Sequence, residues 1–360
     1  MNREPADDRD GDSPSAGRAK PVDRHDRQIK FAAIGRAGQR AFESASVGVL
    51  GVGALGSVAA ELLVRSGIGR LRLIDRDVVE FTNLQRQALF NEQDAADGLA
   101  KVDAAQKHLT QIDASRSIEA LAVDVTPQNI GEMLRDVDLV IDASDNFATR
   151  FLLNDWSLET QTAWVHGGAV GASGQVRLFT GRGHPCFRCL VPQPPPSTFI
   201  ETCDTAGVLA PITHAIASIQ VAEALKWLSG NRDAVREEVL SVDLWQNHTR
   251  SIAIAASLSQ HCRACQGHRD FLHDEQTSPT LGQTVCGRDS VQLPPRGEVD
   301  LELLRRRYVD DKPVQQTMFF IRVELDDRHR ATVFRDGRII IDGTSDVAVA
   351  RTLADRYIGG

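Results

Sequence analysis

Nowhere in the 360 residues do eighteen apolar residues run together, so the sequence predicts no membrane span. The N-terminus lacks the apolar core of a secretory leader; Asp, Arg, Pro, Ser and Gly fill it instead. Basic residues are outnumbered, 41 to 49, and a formal net charge of −8 argues against nucleic acid or an anionic membrane as the main partner. Residues 284–360 hold 13 basic and 13 acidic side chains, so the whole acidic excess lies ahead of them. No internal repeat is present. Cysteine is scarce too, at six, and four of these form two Cys-x-x-Cys pairs. That usage fits metal binding in a reducing cytosol better than disulfides, and the expected location is cytoplasmic.

What is present is ordinary for a globular chain: 42% hydrophobic and 25% charged residues, enough to bury a full core. Residues 1–22 offer almost nothing to bury and are expected to be disordered. From Asp23 to Gln276 strands and helices alternate. Val47–Leu50, Leu71–Ile74, Ile118–Val123 and Leu139–Ile141 read as buried parallel strands. Gly56–Ser66, Leu99–Gln111 and Pro127–Leu134 read as the helices between them. Strands are expected again at Ala163–His166 and Gln175–Phe179, then a helix at Ile212–Ser229. Four prolines within Val191–Ser197 predict a crossing loop. Residues 277–283 read as a polar linker, and residues 284–360 as a small α+β domain. Its strands are expected at Met318–Glu324, Ala331–Phe334 and Arg338–Ile341, with a closing helix at Val347–Tyr357 capped by Thr344 or Ser345. The fold class is thus α/β: a Rossmann-like, doubly wound, mostly parallel sheet over 23–276, followed by the small domain.

Gly51-Val52-Gly53-Ala54-Leu55-Gly56 lies between the first strand and its helix, and Asp75 ends the second strand about 20 residues on. Glycines at this spacing let phosphate approach the backbone, the helix N-terminus offers free N–H groups, and the acid suits a ribose hydroxyl. The fingerprint alone suggests NAD. Its surroundings suggest ATP, because Arg24, Arg27, Arg86 and Lys101 supply more cations than hydride transfer uses. Asp145, in Asp142-Ala143-Ser144-Asp145-Asn146, follows an apolar strand, a position suited to Mg²⁺ between phosphates; a helix N-cap explains the same segment about as well. Cys186, Cys189, Cys262 and Cys265 can close a structural tetrahedral zinc site. Cys203 stands alone after the proline-rich loop, either as a nucleophile or as a small packed residue. Cys286 has no partner in view.

As an ordered set these motifs resemble the ThiF/MoeB/HesA adenylyltransferases, bacterial relatives of ubiquitin-activating enzymes. The resemblance covers about residues 23–268. It rests on Arg-x-x-Arg-Gln at 24–28, Gly-Val-Gly-Ala-Leu-Gly at 51–56, Asp-x-Asp at 75–77 and Asn-Leu-Gln-Arg-Gln at 83–87. Lys101, Asp-x-x-Asp-Asn at 142–146, the paired cysteines and Cys-x-x-Ala-Gly-Val at 203–208 complete it. The resemblance implies an ATP loop at Gly51, Gly53, Ala54 and Gly56, with Ala54 standing where many members have glycine. It implies ribose contact at Asp75, with Asp77 beside it, and phosphate contacts at Asn83, Arg86 and Lys101. Mg²⁺ would sit at Asp145, next to Asn146. Arg27 matches an arginine finger supplied across a homodimer interface, the four paired cysteines match zinc ligands, and Cys203 matches a cysteine that in some members bonds to the carrier.

The implied reaction is adenylylation of the C-terminal glycine carboxylate of a ubiquitin-like sulfur carrier ending in Gly-Gly, for molybdopterin or thiamine synthesis. A rhodanese-like segment is not apparent after residue 268, so a separate sulfur donor, a cysteine desulfurase or rhodanese, is expected. Three other readings stay open at this point. A nicotinamide-dependent oxidoreductase leaves Arg27, Arg86 and Lys101 idle. A zinc-pinned scaffold leaves the nucleotide residues idle. A transfer-RNA-modifying dehydratase of the same family sits badly with the paired cysteines and the lack of basic excess.

Overall fold

The computed structural model describes residues 24–195, 206–273, 283–284, 289–294, 297–308, 313–316, 320–335 and 337–358. The predicted tail, most of the predicted linker, Cys203 and Cys286 lie outside the described residues.

Two sheets organise the chain. The larger has eight strands in the order β3-β2-β1-β4-β5-β6-β7-β8. They are β1 (Ser46–Leu50), β2 (Arg70–Ile74), β3 (Ser117–Leu121), β4 (Leu139–Asp142), β5 (Ala163–Val170), β6 (Ser173–Phe179), β7 (Val239–Asp243) and β8 (His248–Ile252). The first five are parallel and the last three antiparallel. β1 and β4 are buried at every position, which is why they read as unbroken apolar runs. On one face Val47, Val49, Leu71 and Ile141 pack with Leu63 of helix Gly56–Ser66 and Ile216 of helix Ala210–Leu228. On the other, Leu50, Ile74 and Val140 pack with Phe151 and Trp156 of helix Phe147–Thr160.

The expected helix Gly56–Ser66 is present end to end, stopped by Gly67 in the left-handed region at φ 88°. Other elements depart from expectation. β3 is partly exposed rather than buried, because it forms the sheet's edge. The helix expected over Pro127–Leu134 shrinks to Ile130–Met133. Asn129 holds the preceding segment as a turn, accepting from Thr126 N at 2.8 Å and donating to the Asp124 carbonyl at 2.8 Å. The helices Gly35–Ser44 and Phe147–Thr160 and the strands β7 and β8 were not anticipated.

The second sheet is antiparallel, in the order β11-β12-β13-β14-β10-β9. Its strands are β9 (Gln283–Thr284), β10 (Ser290–Leu293), β11 (Val314–Gln316), β12 (Phe320–Glu324), β13 (Arg330–Phe334) and β14 (Ile339–Asp342). Val291, Ile321, Val333 and Ile341 bury against Leu304 of helix Leu301–Tyr308 and Ala350 of helix Val347–Tyr357. β9 begins at Gln283, so the last predicted linker residue is already a strand. The closing helix is the expected one, but its cap is Asp346, which accepts from Ala348 N at 2.7 Å and Val349 N at 3.3 Å. Thr344 instead accepts from Asp346 N, one step upstream.

Candidate active site

β1 stops at Leu50, flanked in register by Ile74 of β2 and Asp142 of β4. Chain order reverses between these two neighbours, the point where a doubly wound sheet opens a crevice above its strand ends. Gly51 turns the chain there at φ 87°, donating its N–H to the Ile74 carbonyl at 2.8 Å. A Cβ on Gly51 would sit 2.6 Å from the Ala143 carbonyl oxygen, and one on Gly56 would collide with the Gly51 carbonyl. Gly53 is different: its nearest neighbour would be the Gln87 amide nitrogen at 3.7 Å. Two glycines therefore close the turn, and the third leaves the backbone open to approach. Helix Gly56–Ser66 starts behind Ala54 and Leu55 without a side-chain cap, Ser57 N donating to the Gly53 carbonyl at 3.0 Å, and its positive end faces the crevice where an anion is favoured.

Asp75 binds this turn directly. Its carboxylate accepts from Val52 N at 2.6 Å and Asp77 N at 2.8 Å. Burial pushes the Asp75 carboxyl above its ordinary value, which Lys101 only partly counters. Lys101 is 7% exposed, and its Nζ lies 3.0 Å from the Asp77 carboxylate. Removal from water disfavours that ammonium, but Asp77 and then Asp75 outweigh the penalty and raise its pKa above the usual lysine value. Desolvation likewise works against Asp77, yet Lys101 and Arg76 hold its carboxyl well below the usual range. The backbone fixes the pairing, since Lys101 N donates to the Asp77 carbonyl at 2.9 Å and Val78 bridges Ala100. A locked cation thus stands beside the glycine turn.

At the end of β4 the two aspartates of the Asp-x-x-Asp-Asn motif separate. Asp142 is fully buried; it accepts from Ser144 Oγ at 2.6 Å and from His166 Nδ1 at 2.9 Å, with Arg150 Nε at 3.4 Å. Burial opposes its charge, but His166 and Arg150 prevail and lower its pKa. Asp145, three residues on, is exposed, and its charge bears on Arg76 and Lys101. The N-cap role belongs to Asn146, whose Oδ1 accepts from Thr149 N at 2.8 Å. Asp145 is left free of it.

Asn83 is buried and its Oδ1 accepts from Glu80 N at 3.0 Å, which braces the short turn Phe81–Asn83. Arg86, half-buried, donates to the Thr82 carbonyl at 2.9 Å. The upstream cations part company. Arg24 pairs with Asp113 at 2.8 Å, whereas Arg27 is exposed on the short helix Asp26–Ile29.

The four paired cysteines meet, although residues 186–189 and 262–265 are far apart in sequence. Sγ separations are 3.8 Å for Cys186–Cys189, 3.6 Å for Cys186–Cys262, 3.5 Å for Cys189–Cys265 and 3.6 Å for Cys186–Cys265. A tetrahedron of zinc–sulfur bonds spaces its sulfurs about 3.8 Å apart, while a disulfide needs about 2.05 Å. The cluster therefore fits zinc, in a closed site buried with Leu158 and Ala264.

Residues 25–264 match the ThiF family model, two-thirds of the sequence. The chain belongs to the ThiF family. Among its relatives, the sulfur carrier protein ThiS adenylyltransferase of Bacillus subtilis is 36% identical over 340 residues, 93% of this chain and 99% of that protein. A sulfur carrier protein adenylyltransferase of Thermus thermophilus is 36% identical over 249 residues, 68% of this chain and 90% of that protein. The adenylyltransferase and sulfurtransferase MOCS3 of Anopheles gambiae is 39% identical over 233 residues, and the match spans 52% of its length. Among solved structures, E. coli MccB with ATP superposes at a TM-score of 0.58 and 19% identity, covering 69% of this chain and 75% of that one. That last likeness speaks for the fold alone.

Several residues of this ThiF site were given no role in the sequence reading. Gln87 reaches the glycine turn, and its Oε1 is buried with no partner among the described residues. Arg150 donates to the Ser144 carbonyl at 2.7 Å, and Gln220 donates to the carbonyls of Asp142 and Val165 at 2.7 and 3.0 Å. His166 completes the set. Gln220 and His166 are polar residues set inside otherwise apolar runs, and that contrast was the available signal.

Proposed function

We propose that this protein adenylylates the C-terminal carboxylate of a small ubiquitin-like sulfur carrier, the activity named for its Bacillus and Thermus relatives. The observation that carries the reading is Lys101, locked by Asp77 and Asp75 beside an open glycine turn and an uncapped helix N-terminus. A nicotinamide cofactor offers that ammonium only a pyrophosphate, with less negative charge to neutralise. A triphosphate offers more.

In the reaction the carrier's carboxylate oxygen attacks the α-phosphorus of ATP. A P–O bond forms, the bond to the β-phosphate bridge breaks, and pyrophosphate leaves with its electron pair. Nucleophile and electrophile are both anionic, so the protein's work is alignment and charge neutralisation. The turn at Gly51, Gly53, Ala54 and Gly56 cradles phosphate, and the Asp75 region receives the ribose. Lys101, Arg86 and Asn83 address the phosphates, joined by an Arg27 delivered from a second copy of the chain. Mg²⁺ between the phosphates, at Asp145 beside Asn146, would neutralise them further. Zinc at Cys186, Cys189, Cys262 and Cys265 would pin two distant segments and take no part in the chemistry. Cys203 supplies a thiolate that attacks the carrier's acyl carbon, forming a thioester as AMP leaves with its electron pair, and sulfur arrives from a separate donor.

ATP–pyrophosphate exchange with candidate carriers tests the proposal. Label should enter ATP only when a carrier with an intact Gly-Gly terminus is present, and Lys101→Met should abolish it. An enzyme that exchanges without a carrier, or with none of the thiamine- and molybdopterin-type carriers, would refute the substrate assignment.

A further inference from the structure

The C-terminal sheet does not stand apart from the nucleotide site. Arg338, just ahead of β14, is 2% exposed and donates from Nη2 to the Arg76 carbonyl at 3.1 Å. Its guanidinium lies over the Phe334 ring, 4.2 Å from the centroid, which fixes the side chain's direction. Beside it, Phe320, Phe334 and Ile340 of the second sheet close over Val78 of the first domain. Arg76 and Val78 flank Asp77, the partner of Lys101, and the charge of Arg338 bears on Asp77. Arg322 of β12 lies near enough to feel Glu80, which caps the turn carrying Asn83.

The gripped segment is a short ribbon. Residues 77–79 join 99–101 through the Val78–Ala100 bridge and the bonds Val79 N to Leu99 O, 2.8 Å, and Lys101 N to Asp77 O, 2.9 Å. Val79 and Ala100 of this ribbon pack into the main core and Val78 packs under the second sheet, and Asp75, Asp77, Asn83 and Lys101 all hang from it or from its flanks. When phosphate enters, Lys101 must share itself between the newcomer and Asp77. A second cation near Asp77 lowers the cost of that sharing.

We infer that the C-terminal domain acts as a clamp on the ATP site, with Arg338 as its positioning residue: it holds Arg76–Asn83 in register and keeps Asp77 neutralised while Lys101 turns to nucleotide. This rests on the ATP reading above. The clamp sets nucleotide affinity and leaves the chemical step and the carrier alone.

Arg338→Met keeps the stem over Phe334 but removes charge and donor. Losing one bond from a charged donor should raise both the KM for ATP in the exchange assay and the Kd for a non-hydrolysable ATP analogue about tenfold. The kcat and the carrier KM should stay within about twofold, and Arg338→Lys should recover part of the loss. Hydrogen exchange of full-length protein without nucleotide gives an independent reading: amides of 76–83 and 99–101 should lose protection in Arg338→Met, while those of β4 and β5 keep theirs. Unchanged protection, or an unchanged Kd in a variant that folds normally, overturns the clamp. Wild-type protein that binds no ATP overturns the ATP reading instead, and the exchange pattern still decides whether the clamp exists.

Discussion

His166 carries a titratable group whose charged form the fold disfavours. Burial lowers its pKa, countered in part by Asp142, and the Arg150 charge adds to the lowering. An unfolded histidine takes a proton below about pH 6.5, whereas His166 in the fold resists it. The unfolded state then binds more protons, so stability falls as pH drops below about 6.5, by up to about 1.4 kcal/mol per unit. Asp142, with its lowered pKa, adds a second loss only near and below about pH 4. Urea unfolding at pH 7.5 and 5.5 isolates the first effect, because His166→Asn cannot titrate. The variant should be less stable at pH 7.5 and show a shallower decline on acidification. An identical decline would remove His166 from the account. Legibility at this scale followed chemistry: Gly51, Gly56, Asp75 and Lys101 belong to a spaced motif, while His166 and Gln220 act through strand and helix partners that only the folded sheet supplies.

Among elements, the readable ones were those whose burial is simple. β1 and β4 are largely apolar runs bounded by glycine or aspartate, β2 carries buried Leu71, Leu73 and Ile74 up to Asp75, and helix Gly56–Ser66 ends at a glycine. Helix Phe147–Thr160 was missed because Phe151 through Leu158 are all buried, Asn154 and Asp155 included, which erases the amphipathic period. β8 was missed for the opposite reason, being exposed at every position. The cysteine pairs were legible from spacing, and their energetic role belongs to this scale. Joining Cys189 to Cys262 closes a long loop, and a cross-link of that reach removes about 4 kcal/mol of chain entropy from the unfolded state. Purified protein should hold one zinc per chain by elemental analysis. Stripping it, or making Cys262→Ser, should lower Tm by about 10 °C. Metal-free protein with an unchanged Tm would mean that the cluster contributes nothing to the fold.

For the whole molecule, the role proposed for Arg27 turns on distance. Its helix is tied down by Gln28, which donates to Gln39 Oε1 at 2.7 Å and to the Ser66 carbonyl at 2.9 Å. Ser66 is the last residue of the helix that begins at the glycine turn, and eleven residues put its two ends about 16 Å apart. That gap exceeds the span of one arginine side chain. Within one chain, then, Arg27 lies at the wrong end. Phe31, 62% exposed beside it, offers an apolar surface where a second copy could seat. In a two-fold dimer each site would combine Asp145 of one chain with Arg27 of the other. Arg27→Ala and Asp145→Ala should each be inactive alone. Mixed and allowed to exchange subunits, half of the dimers are hybrids with one intact site, so about a quarter of wild-type exchange activity should return. An arginine acting within its own chain leaves every site in the mixture defective. Hybrid dimers seen by native mass spectrometry without recovered activity would therefore rule out delivery across the interface.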